Sequence, residues 1–122
     1  MRSTEHCLLA ALLVASFACN NQSGPDGGKP RHTIKEIMQT AKKKDLIKKA
    51  VMGTASTSEK TELTDLLVDL SKNQPPKGSL DSWNAKTTKL VSAARDVEAG
   101  KPGAGPAFRQ AIDCDSCHNV HK

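Results

Sequence analysis

Aromatic residues are scarce in this chain. Of its 122 residues none is tyrosine, one is tryptophan (Trp83) and two are phenylalanine (Phe17 and Phe108). Single-stranded nucleic acid is gripped by stacking its bases on aromatic faces. A chain with so few is poorly equipped for that, although its formal net charge is +5. Alternation of apolar and polar residues at period two is missing as well, so no segment reads as a strand. No internal repeat is visible. No apolar run approaches the roughly 20 residues that a membrane-spanning helix needs. Neither a nucleophile–base pair nor a pair of catalytic carboxylates is legible. The composition therefore predicts a protein that is not an enzyme and does not bind nucleic acid.

What is present begins at the N-terminus. Arg2 is followed by the apolar run "CLLAALLVASFA", Cys7 to Ala18. A charged start, a short apolar stretch and the small-x-small triplet Ser16-Phe17-Ala18 make a secretory signal over residues 1–18, in preference to a short buried helix. Cleavage before Cys19 leaves roughly 104 residues, enough for one small domain. The four cysteines are Cys7, Cys19, Cys114 and Cys117. Loss of the signal leaves three, an odd number for an exported protein. The run "ASFAC" resembles a bacterial lipobox, which makes Cys19 a lipidation site. A plain signal with an unpaired Cys19 is the alternative. Residues 19–31 include "NNQSGPDGGKPR", a Gly-, Pro- and Asn-rich tether. The expected location is the bacterial periplasm, with membrane contact only through a lipid on Cys19.

The remainder, residues 32–122, reads as helices. Thr33 and Glu36 have the spacing of a capping box. Behind them Ile34, Ile37, Met38 and Ala41 recur at helical spacing on one face. That stripe loses phase at "KKKD", Lys42 to Asp45, and resumes through Leu46, Ile47, Ala50 and Val51 to a stop at Gly53, which predicts a kinked helix or a helix followed by a shorter one. Ser56 and Glu59 form a second capping box ahead of Leu63, Leu66, Leu67 and Leu70. "NQPPKG", Asn73 to Gly78, ends that segment, since proline blocks continuation. Ser79 opens a third, with Leu80, Trp83, Leu90, Val91, Ala94 and Val97 inward. After "GKPGAG" a last helix is expected with Pro106 at its first position and Phe108, Ala111 and Ile112 inward. Four helical segments with short connections predict an all-α, antiparallel four-helix bundle.

The tail "CDSCHNVHK" carries the chemistry. Cys114, Cys117 and His118 form C-x-x-C-H, the attachment motif of c-type haem. On a helix these three residues lie at i, i+3 and i+4 and leave on one side. Two thiols can then bond the two vinyl groups of one haem while the imidazole meets the iron. Other readings use the same residues. A zinc site would draw on Cys114, Cys117, His118 and His121, packed far more tightly than usual. A C-x-x-C redox pair normally accompanies a βαβ pattern, which is missing. An ordinary disulfide is the third.

A helical domain ending in C-x-x-C-H resembles the class II cytochromes c, the cytochrome c prime group and its low-spin relatives. The likeness covers residues 31–122 and rests on "CDSCH" and on "TIKEIMQTAKK", Thr33 to Lys43. It implies one covalent haem c, thioether links at Cys114 and Cys117, and His118 as the proximal ligand. It also implies Met38 as the sixth ligand, a residue that periodicity alone makes an ordinary core side chain. Met52 is the weaker methionine. His32 is expected to be solvated, as is His121, which is one turn beyond His118 and cannot reach the opposite face. Asp113 and Asp115 are expected to face solvent beside the haem helix. A His/Met pair suits electron transfer. A vacant distal side would instead bind small gases such as nitric oxide or carbon monoxide. A docking subunit stabilised by its haem is the remaining possibility. The lysines Lys42, Lys43, Lys44, Lys48 and Lys49 read as a solvated face or as a surface that steers an acidic redox partner protein.

Overall fold

Thr33 starts the first helix as its spacing to Glu36 predicts. Its hydroxyl accepts from the Glu36 amide at 3.3 Å, and the Glu36 carboxylate accepts from the Thr33 amide at 2.8 Å. Ser56 and Glu59 repeat the exchange at 3.2 and 2.9 Å. The computed structural model describes residues 28–122, all helix and connection, with no strand among the described residues. The expected signal segment, Cys19 and most of the expected tether lie outside the described residues. The helices are α1 (Ile34–Lys43), α2 (Leu46–Met52), α3 (Thr57–Lys72), α4 (Leu80–Glu98), α5 (Ala104–Ala111) and α6 (Cys114–His121). None is long and apolar enough to cross a membrane.

The four expected segments thus divide into six helices. The phase loss at "KKKD" is a true break, because Asp45 adopts the left-handed conformation at φ 52°. Aspartate is among the few residues that tolerate it. The tail breaks too. Ile112 and Asp113 leave helical backbone, and the Asp113 carboxylate accepts from the Ser116 amide at 3.0 Å, which starts α6 afresh. Asp113 is exposed as expected, but it is also a cap. Pro106 stands third in α5, not first, behind Gly103. The misplacement is harmless, since the first four amides of a helix need no intrahelical acceptor.

The core is the seam between α3 and α4, the most extensive helix pairing among the described residues, with α5 laid against α4 and α2, and α1 against α3. Leu63, Leu67 and Leu70 of α3 share one buried cluster with Trp83, Ala94 and Val97 of α4 and with Phe108, which is 0% exposed. Gly105 lets α5 approach α2, for a Cβ there would stand 2.7 Å from the Val51 carbonyl oxygen. Leu80 departs from expectation, being 51% exposed. Side chains tilt toward a helix's N-terminus, so the first residue of α4 has no packed turn beneath it.

A buried carboxylate on α3 went unread in the sequence. Asp69 is 1% exposed. It accepts from the Arg31 amide at 2.8 Å, the His32 amide at 2.7 Å and the His32 Nδ1 at 3.0 Å. Asn73 adds a bond from its Nδ2 to the His32 carbonyl at 3.0 Å. These bonds fasten the chain entering α1 onto α3, so His32 is a half-exposed tether point and not simply solvated. Burial pushes the Asp69 carboxyl up, but the two amides and the imidazole outweigh it and leave the pKa below its ordinary value.

Two tests follow from these contacts. Asp69→Ala orphans the two amides and should cost about 1–3 kcal/mol in urea unfolding. Because the folded pKa is lowered, that stabilisation is full above the ordinary carboxylate range and is lost as pH falls through the lowered value. The variant should therefore show a flatter acid dependence of its urea midpoint than the parent. Ser56→Ala, which removes the α3 cap, should cost about 1 kcal/mol in the same assay.

Candidate cofactor site

Helix α6 brings the attachment motif together. Cys114 is exposed and Cys117 half-buried, and both are free thiols. Burial pushes the Cys117 thiol up; nearby Lys86 opposes this, while Cys114 and Asp113 add to it. The result is a thiol that keeps its proton at neutral pH. Lys86 reaches over from α4 and donates to the Ser116 hydroxyl at 2.7 Å. The variable interior of the motif is thereby tied to the main body. His118 is exposed.

His121 behaves otherwise than expected. It is 4% exposed, not solvated. Its Nδ1 lies 2.9 Å from the Lys77 carbonyl oxygen, which can only accept, so Nδ1 carries a proton. In the neutral ring Nε2 then accepts from the Ser82 hydroxyl at 3.2 Å. The ring also meets Trp83 edge to face, centroids 5.4 Å apart at 80°. Gly78 leaves the space for this, with φ 84° and a position where a Cβ would fall 2.6 Å from Nδ1. The histidine is buried because it satisfies both ring nitrogens and covers an aromatic face. The four polar tail residues consequently do not converge. Among the described residues no three His, Cys, Asp or Glu side chains gather as a metal-binding set.

Two cavities flank the motif. The first, of ≈ 260 Å³, is walled by Ile37, Ala41, Leu63 and Leu66 and bordered by Cys114, Cys117, His118 and Met38. The second, of ≈ 660 Å³, lies between Ile34, Met38 and Lys42 of α1 and Trp83, Cys117, His118 and His121 on the other side. Met38, Cys117 and His118 border both, so the cavities are two parts of one groove. Met38 is 37% exposed, a large apolar side chain left at the groove and not in the core. Met52, 63% exposed at the end of α2, and His32 border neither cavity. The two cavities together fall within the roughly 300–1,000 Å³ usual for cofactor sites.

This donor set fits a covalent haem in kind. Two thiols, an imidazole and a soft thioether face one apolar groove, and α1 and α6 stand on its two sides. The indole Nε1 of Trp83 is a buried donor with no partner among the described residues. The role of His121, the Lys86–Ser116 bond and the unpaired indole were not legible in the sequence. Each depends on which turn of α4 lies beside α6, which no local pattern encodes. No family model, curated protein or solved structure matches the chain.

Gly78→Ala tests the geometry of α6. Left-handed backbone costs a residue with a Cβ about 1–2 kcal/mol, and the new methyl would also displace His121. Thermal unfolding should move down, and the near-ultraviolet signal of Trp83 should weaken as the ring contact is lost. An unchanged signal would show that α6 does not depend on the histidine.

Proposed function

We propose that the chain is an exported class II cytochrome c, an electron-transfer protein carrying one covalent haem. The observation that carries this reading is that Met38 borders the same groove as Cys114, Cys117 and His118, although eighty residues separate it from His118. In this assignment Cys114 and Cys117 hold the haem by thioether bonds, His118 is the proximal ligand and the Met38 sulfur is the sixth. The bound group supplies a reversible one-electron iron couple. The residues of the chain do the rest. His121 and Lys86 hold α6 and so orient His118, while Ile37, Leu63 and Leu66 keep water from the inner wall. Ligation by a methionine and a histidine in apolar surroundings would favour ferrous iron and raise the potential.

The same reading treats the helices as four arms of a bundle: α1 with α2, α3, α4, and α5 with α6. Export through residues 1–18 and lipidation at Cys19 would place the haem domain on a short tether in the periplasm. Within the lysine run, Lys44 and Lys49 pair with Glu62 and Glu59 at 2.5 Å. Lys42, Lys43 and Lys48 are exposed and are the members that remain to steer an acidic redox partner.

The visible spectrum of protein matured with a haem-attachment system tests the assignment. A covalent haem with low-spin ferric and ferrous spectra that ignore carbon monoxide is expected. Met38→Ala should convert it to a high-spin form that binds carbon monoxide. A parent protein already high-spin and responsive to carbon monoxide would replace the carrier reading with gas binding.

A further inference from the structure

Asp69 is a carboxylate set among leucines. It is buried on α3, where its neighbours Leu66, Leu67 and Leu70 are buried too and border the first cavity. A buried charge is costly unless it is hydrogen-bonded and paired, and an apolar side chain would fill the place without that cost. All three of its bonds go to one short stretch, Arg31 and His32, directly ahead of the Thr33 cap of α1. Asn73 doubles the tie, because its Nδ2 donates both to the His32 carbonyl and to the Asp69 carbonyl, each at 3.0 Å. Thr33 and Asn73 border the second cavity together with Met38. The clamp therefore stands at one end of the groove and is built on the helix that forms its inner wall.

The two ends of α1 are held by different means. At its C-terminal end the break at Asp45 leads straight into Leu46, which is buried, so packing fixes that end. Ahead of Ile37 no described residue is buried, and Ile34 is only half-buried. Polar bonds from Asp69 and Asn73 hold the N-terminal end instead. Met38 lies six residues before Lys44, about 9 Å along the axis, so a tilt of about 10° about the fixed end would carry it roughly 1.5 Å. Metal–ligand distances vary by only about 0.2 Å.

On the haem reading above, we infer that Asp69 is the positioning residue for Met38: by fastening the entry of α1 to α3 it holds the thioether at the groove. Hydrogen bonds suit this task because they are directional, whereas the apolar contacts of Ile37 and Ala41 permit sliding and tilting. Without the clamp α1 stays helical, and Met38 is presented to the groove only part of the time.

The test uses the full matured chain. Asp69→Asn keeps the shape but turns one acceptor oxygen into a donor. Electron paramagnetic resonance of the ferric protein counts methionine-free, high-spin iron against methionine-bound, low-spin iron. That ratio should rise on the order of tenfold, the effect of losing one bond to a charged group, while the far-ultraviolet signal stays helical. An unmoved ratio overturns the inference. Ser56→Ala weakens the α3 cap and should keep the parent ratio; a rise equal to that of Asp69→Asn would show general destabilisation and overturn the inference. Should Asp69→Asn fail to fold, Asn73→Ala removes the bond to the His32 carbonyl and should raise the ratio less, in the same direction; no rise overturns the inference. A parent that matures without covalent haem, or is high-spin already, ends the haem reading itself, and this is read before any variant is made.

Discussion

The site rests on the contact between one buried imidazole and the turn that precedes α4. Helix α6 leans on α4 and on little else, and its eight residues are too few to be stable as an isolated helix. The His121 bonds to Lys77 and Ser82, together with its ring contact to Trp83, locate α6. Everything the motif presents follows from that, since His118 sits one turn earlier on the same helix. Were α6 free to roll, the thiols and the imidazole would face the groove only part of the time.

The opposite wall is fastened by the same kind of device. Asp69 holds the entry to α1 through two amides and a ring nitrogen, just as His121 holds the exit of α6. Both sides of the groove are therefore tied by satisfied buried polar groups at their ends. Apolar packing is concentrated elsewhere, in the α3–α4 seam. This division has a structural reason. Walls held by leucines alone would close on each other to bury surface, whereas end-fastened walls stay apart. An open groove with intact walls is what a flat bulky ligand requires.

Much of this was readable in advance, and the reasons differ by element. The caps at Thr33 and Ser56 and the stop at Gly53 are local chemistry, so spacing revealed them. The leucine stripe of α3 was equally plain. The α5–α6 break has no periodic signal, because Asp113 offers its carboxylate as a cap and that competition with the helix is decided by a single side chain. Trp83 is buried as its stripe predicts, but the burial of His121 has no local signal, because its partners are the Lys77 carbonyl, Ser82 and the Trp83 ring, all some forty residues away. Met38 departs from its periodicity, which marks it as core, and stands 37% exposed at the groove. Leu80 shows the limit of periodicity, which counts faces but does not see that a helix has an end.

The separation between Met38 and His118 has a consequence for the unfolded chain. On the proposed ligation, iron bonded to both residues closes a loop of some eighty residues through the haem. A permanent cross-link of that span would limit the unfolded ensemble by about 4–5 kcal/mol on chain-entropy arithmetic. The proposed cross-link would not be permanent. Its thioether end would be fixed on α6, while its methionine end would form and break with the affinity of iron for sulfur. Ferrous iron would favour that bond, so each electron gained would tighten the loop and each electron lost would slacken it. Mechanical stability of the domain and its redox state would then be one linked variable.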